Sequence, residues 1–143
     1  MKAKEFLQQL LKIDRQIENK QDEQEHWKSV AAGTASKFGT ERVQSSGNPD
    51  KMADAIGKYI ELEKEITQEI DRLIDKRREI TGTIEQLNYM EYDILYKIYV
   101  KYISFDDVAI MYGKSYSWVT TIHGKALKNL QKILDEREIH SNE

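Results

Sequence analysis

Residues 104–127, SFDDVAIMYGKSYSWVTTIHGKAL, hold two helix starts and one helix stop in a short span. Ser104 and Ser115 each stand just before an apolar-periodic run. A serine hydroxyl there can accept a backbone N–H that the first helical turn leaves unpaired. Asp107 follows Ser104 by three residues, at the positive end of the helix dipole. Gly113 sits past the first run, where a left-handed cap excludes most residues that carry a Cβ. The spacing predicts a short helix over 105–112, a tight glycine turn, and a final helix reaching about residue 136. Val108, Tyr112, Val119 and Ile122 are the inward positions, and Ala109 is small where the two helices cross. This is the pattern of a helix-turn-helix.

Immediately upstream, Ile94, Leu95, Ile98, Tyr99, Tyr102 and Ile103 form a wide apolar stripe. It predicts a helix over roughly 90–102 that packs on the other two. Residues 88–136 thus read as a helix-turn-helix domain, with 137–143 as a tail.

Further back the period lengthens to seven. Met52, Tyr59, Ile66, Leu73, Ile80 and Leu87 recur at heptad spacing, with Ile56, Glu63, Ile70, Arg77 and Ile84 as the companion register. A helix over 50–87 would be on the order of 57 Å long at 1.5 Å per residue. It must therefore pack on the first helix, on another chain, or on both. Polar Glu63 and Arg77 in the seam set register and partner at some cost in stability. In the first segment, from about Lys2 to Phe38, Phe6, Leu10, Ile13, Ile17, Trp27 and Ala31 share a face that Lys20 and Gln24 interrupt. Between the two, SKFGTERVQSSGNPD (36–50) collects glycine, serine and the single proline, and reads as a loop at about 38–49. Residues 1–87 are expected to form an antiparallel helical hairpin that doubles as an oligomerisation arm, a dimer being favoured. The fold class is all-α.

Composition agrees and narrows the function. One proline, seven glycines and 33% charged residues suit a helix-rich chain, and the lack of cysteine excludes disulfides and thiolate chemistry. No apolar run reaches signal-peptide or membrane-span length, so a cytoplasmic protein without a membrane partner is expected. The net charge is −3, but it is unevenly spread: from Gly113 to Leu134 there are four lysines and no acidic residue.

If Val119 and Ile122 face inward, Ser115, Tyr116, Ser117, Thr120 and Thr121 lie on the outer N-terminal face of the last helix. In a helix-turn-helix that face enters the major groove of double-stranded DNA. Hydroxyls suit base edges or phosphates, and a threonine methyl can pack on a thymine methyl. Tyr116, Ser117, Thr120 and Thr121 are the candidate base-reading residues. Lys114, Ser115, Lys125 and Lys128 are the candidate phosphate contacts, which supply salt-sensitive affinity. Each has a plainer alternative. Ser115 can serve as a cap, and Tyr116 and Trp118 can pack on the preceding helix.

The stretch YKIYVKYISFDDVAIMYGKSYSWVTTIHGKALKNLQKIL (96–134) resembles the fourth conserved region of bacterial sigma factors. Over nearly its full length the chain is more similar to phage-encoded sigma-region-4-like regulators, the group around the ArpU- and RinA-type late-gene activators. IHGKAL (122–127) and RVQSSG (42–47) match segments typical of that group. The resemblance implies a phage or prophage regulator that binds DNA upstream of late genes and acts with host RNA polymerase. Sigma factors carry arginine and glutamate or glutamine at the positions of Tyr116, Ser117, Trp118 and Thr121, so their promoter element does not transfer.

Nothing in the sequence assembles an enzyme, a cofactor site or a metal site. His26, His123 and His140 are dispersed, and His123 reads as a surface or phosphate-adjacent histidine. Asp106 and Asp107 suit helix-end electrostatics better than acid–base work. Gly124 costs about 1 kcal/mol relative to alanine inside a helix, which close approach by the hairpin or by a phosphate would explain. Two rival functions remain open at this level. One is the small DNA-recognising subunit of a phage packaging machine, and the other a helical protein acting on a host factor.

Overall fold

A computed structural model describes residues 1–40 and 49–142. All regular elements among the described residues are helical: α1 (Ala3–Thr40), α2 (Pro49–Ile84), α3 (Tyr89–Leu95), a π-helical turn (Tyr96–Val100), α4 (Phe105–Tyr112) and α5 (Tyr116–Ser141). The all-α class and the long N-terminal helical pair expected from the sequence are present. Several boundaries move. α1 continues through residues 36–40, which the glycine and serine content had assigned to the loop. The heart of that loop and the RVQSSG segment lie outside the described residues. α2 opens at Pro49, a residue pre-set for a first helical turn, and ends at Ile84 rather than Leu87. Beyond it the bonds tighten: Gln86 N–H to the Thr83 carbonyl and Leu87 N–H to that of Ile84 span only three residues.

Two compact units form, Arg15–Ile74 on one hand and Met1–Asp14 with Asp75–Glu143 on the other. In the first, α1 and α2 run antiparallel. Lys28 reaches Glu63 at 3.4 Å, and Lys20 reaches Glu69 at 2.6 Å. Gln24 meets Thr67, and Trp27 stacks on Tyr59 at 5.5 Å. From Lys20 through Gln24 to Lys28 the partner's number falls from 69 through 67 to 63, the mark of an antiparallel seam. Polar Lys20 and Gln24 interrupt the apolar stripe of α1 because α2 offers them carboxylate and hydroxyl partners there. Exposed pairs of this kind are screened by solvent, so they set register more than stability. Ile66 and Ile70 supply the buried apolar contact.

The second unit contains the main core. Leu7, Leu10, Ile80, Ile84, Leu95 and Leu130 are fully buried, or nearly so. Arg77, polar in the heptad, donates from Nε to Asp14 at 2.7 Å, so its charge is answered within the chain. Tyr102 also donates its hydroxyl to Asp14. The first turn of α1 is tied to α5, where the Ala3 N–H donates to Gln131 Oε1 at 2.8 Å. This bond satisfies one of the orphan donors that every helix start leaves.

The third apolar stripe is not one α-helix over 90–102. After Leu95 the chain widens into i→i+5 bonding and stops at Val100, with Lys101 N–H on the Tyr96 carbonyl at 3.1 Å. The extra residue in that turn brings Val100 to the buried side. α4 and α5 then succeed it as the spacing predicts. Ser104 Oγ accepts the Asp107 N–H, and Ser115 Oγ accepts the Trp118 N–H at 3.0 Å. Gly113 is left-handed at φ 63, ψ 35. Its N–H bonds to the Ile110 carbonyl while Lys114 N–H bonds to that of Ala109, closing α4 in a Schellman motif. Ile94, Val108, Ala109 and Val119 form the core of this region, with Ile98, Ile103, Phe105, Tyr112, Trp118 and Ile122 packed around it. α5 runs on to Ser141, past the expected end near residue 136, and takes in most of the expected tail.

Candidate nucleic-acid interface

α5 divides by face. Val119, Ala126, Leu130 and Leu134 are buried, whereas Ser115, Tyr116, Ser117, Thr121, Gly124, Lys125 and Lys128 are exposed or partly so and Thr120 is half-buried. The candidate base-reading residues Tyr116, Ser117, Thr120 and Thr121 thus come together on the first turns of the helix. The candidate phosphate residues Lys125 and Lys128 stand one and two turns later. Lys114 and Ser115 stand in the turn before the helix.

Local bonding shapes what these groups can do. The hydroxyls of Thr120 and Thr121 both donate to the Ser117 carbonyl at 2.9 Å. With their hydrogens turned back to the helix, the two Oγ atoms present acceptor lone pairs and a methyl. Ser115 Oγ is used as acceptor by the cap, which leaves its hydrogen free to donate. Tyr116 packs against Phe105 with centroids 5.9 Å apart yet stays 53% exposed. It therefore combines the packing role and the outward one. Trp118 turns toward Tyr112 at 5.5 Å, and the Lys114 ammonium rests 5.8 Å from the Trp118 ring centre. That cation–π contact holds Lys114 beside the turn.

His123 is half-buried rather than a surface residue. Its ring stacks on Tyr99 at 5.7 Å, meets the edge of Phe105 at 5.0 Å, and shares a 2.8 Å hydrogen bond with the Tyr99 hydroxyl. Burial pushes the His123 pKa down, and the positive charge of Lys4 adds to the effect. Burial also pushes the Tyr99 phenol up. The sequence shows only a histidine beside Ile122, and the extra residue of the π-helical turn, which brings Tyr99 into reach, has no sequence signature. The half-buried ring makes stability depend on pH. The folded chain binds the His123 proton less readily than the unfolded chain, whose ordinary value is 6.5. The contribution of His123 is full above that value and is lost as pH falls below it through the lowered folded value. The thermal midpoint is expected to drop between about pH 7.5 and 5.5, and His123→Gln is expected to flatten this part of the profile. An unchanged slope in the variant would assign the effect to other groups.

Behind the lysines lies a polar network that the sequence reading did not include. Glu91 is 5% exposed. Its carboxylate accepts from Asn129 Nδ2 at 2.9 Å and from Asn88 Nδ2 at 3.1 Å, while the Glu91 N–H donates to Asn88 Oδ1 at 2.9 Å. Asn88 and Glu91 form a capping pair at the start of α3, and the Asn-x-x-Glu spacing was the available signal. These residues, with Met90, Ile122, Lys125 and Lys128, line a cleft of about 310 Å³. The network locks α5 to α3 and so fixes the place of Lys125 and Lys128.

A Cβ at Gly124 would meet open space. Close approach by the hairpin therefore does not explain it, and the glycine lies on the exposed face between Thr121 and Lys128. Among the described residues no cluster of histidine, aspartate and glutamate could hold a metal ion. Nor is any helix there long and apolar enough to cross a membrane. No family model, curated protein or solved structure matches the chain.

Proposed function

We propose that the chain is a sequence-specific binder of double-stranded DNA that regulates bacterial transcription, in the manner of phage sigma-region-4-like activators, and recruits RNA polymerase without chemistry of its own. The observation that carries this reading is the outward face of α5. It is rich in hydroxyls, bears lysines, and lies in a stretch without a carboxylate from Gly113 to Leu134. A capped helix start behind a tight left-handed turn is also what a recognition helix requires. With Thr120 and Thr121 presenting acceptors and methyls, the matching groove features are the amino groups of adenine or cytosine and the thymine methyl. Lys114, Lys125 and Lys128 supply the phosphate contacts, and Gly124 lets the backbone approach the duplex without a side chain between. A dimer would place two α5 helices on half-sites about one helical turn, roughly 34–36 Å, apart.

The test is an electrophoretic shift with DNA from upstream of the gene's own neighbourhood against unrelated DNA, at several salt concentrations. Specific DNA is expected to bind at least tenfold more tightly. Thr120→Ala with Thr121→Ala is expected to narrow that ratio, whereas Lys128→Ala weakens all sequences alike and lowers the salt slope by about 1. Equal affinity for every sequence would sink the claim of specificity. A threonine pair without effect would move the groove-reading face elsewhere.

A further inference from the structure

The two helices of the helix-turn-helix carry opposite charge. Between Ile103 and Gly113 stand Asp106 and Asp107 with no lysine or arginine, and from Lys114 onward the lysines begin. On α4, Phe105, Val108, Ala109 and Tyr112 face the core. At about 100° per residue, Asp106, Asp107, Ile110 and Met111 then share the opposite arc, about 140° wide. Both aspartates are exposed, Ile110 is 77% exposed and Met111 is 60% exposed. Two large apolar side chains on this eight-residue helix are thus left bare by the described residues. They are not placed to serve a duplex either, because the carboxylates beside them would be driven against phosphates.

We propose that this face of α4 docks a protein of the transcription machinery, through an apolar socket rimmed by lysine or arginine. The inference rests on the DNA-binding reading above, since it takes α5 as the side turned to the duplex. Charge complementarity selects the partner: an acidic rim around an isoleucine and a methionine suits a basic surface with an apolar recess. Methionine, unbranched and polarisable, adapts to such a recess at little cost. A patch this small binds weakly alone. Held beside its partner on one DNA molecule, it works at an effective concentration of order millimolar. That is how a short contact stimulates transcription only at the right promoter.

The experiment uses the full chain and purified bacterial RNA polymerase holoenzyme in three arms: DNA shift, run-off transcription, and direct binding to immobilised polymerase without DNA. The variants are Ile110→Ser with Met111→Ser, and Met111→Lys alone, each checked by circular dichroism for an unchanged helical signal. Expected results are DNA affinity within twofold of wild type, and stimulated transcript and polymerase binding each reduced about tenfold, as loss of a central apolar anchor gives. Retained stimulation overturns the proposal. So does a parallel loss of DNA binding, which would place α4 in the DNA interface, and so does a wild-type chain that binds no polymerase. Should the wild type shift no DNA, the DNA-binding reading fails by itself. The DNA-free arm then still decides for or against the α4 face.

Discussion

Alanine in place of Ile94 is expected to lower the unfolding free energy by about 3 kcal/mol, within the usual range of roughly 2–5 kcal/mol for emptying a buried isoleucine site. The side chain is fully buried and touches the cluster of Val108, Ala109 and Val119 that sets the crossing of α4 and α5. That loss is a large share of the roughly 5–15 kcal/mol that holds a domain folded. In urea, the midpoint should fall with little change in slope, because the surface exposed on unfolding is nearly the same. Below its midpoint the variant should still bind DNA, since no exposed α5 residue is altered. A loss under about 1 kcal/mol would mean that Ile94 is not where α3 meets the helix-turn-helix.

The second large effect concerns charge rather than volume. Asn129→Ala withdraws the amide that spans both Glu91 oxygens and leaves a buried carboxylate with Asn88 alone. The cost is expected to be about 2 kcal/mol, as for a buried polar group left short of partners. Replacing both sides, Asn129→Leu with Glu91→Leu, is expected to restore much of it, since only the exposed Asn88 amide then loses a partner and water can replace it. A double-mutant cycle of Asn129→Leu, Glu91→Leu and the two together measures the coupling, and a value below about 0.5 kcal/mol would show that the two side chains act independently. Lys125 and Lys128 line the same cleft, so Asn129→Ala should also weaken DNA binding through loosened placement of α5.

These two sites mark how far the sequence could be read. Val108, Val119 and Ile94 announce themselves by spacing, because a helix buries one stripe and apolar residues must repeat with it. Ser104, Gly113 and Ser115 are equally legible, since caps and left-handed turns admit few residue types. The heptad of α2 calls for a partner on the first helix, on another chain, or on both, and within Arg15–Ile74 Lys20, Gln24 and Lys28 of α1 meet it. The outward placement of Tyr116, Ser117 and Thr121 comes from the same geometry. Contacts between elements far apart in the chain escaped. Glu91 meets Asn129 across 38 positions, and His123 meets Tyr99 across 24. No local pattern encodes either meeting. The π-helical turn escaped for another reason: one extra residue in a turn leaves the composition unchanged and only rotates the residues after it.

The antiparallel seam of α1 and α2 constrains how this protein can change in length. Within Arg15–Ile74, Gln24 meets Thr67 and Lys28 faces Glu63, so both of these pairs share a sum of 91 (24 + 67 and 28 + 63). An insertion or deletion in one helix alone shifts every pairing beyond it and turns the apolar stripe away from its partner. Removing one heptad from each helix at matched positions leaves the remaining pairs in register. The arm can therefore lengthen or shorten only in matched steps of seven, like a ladder whose rungs must be added to both rails at once.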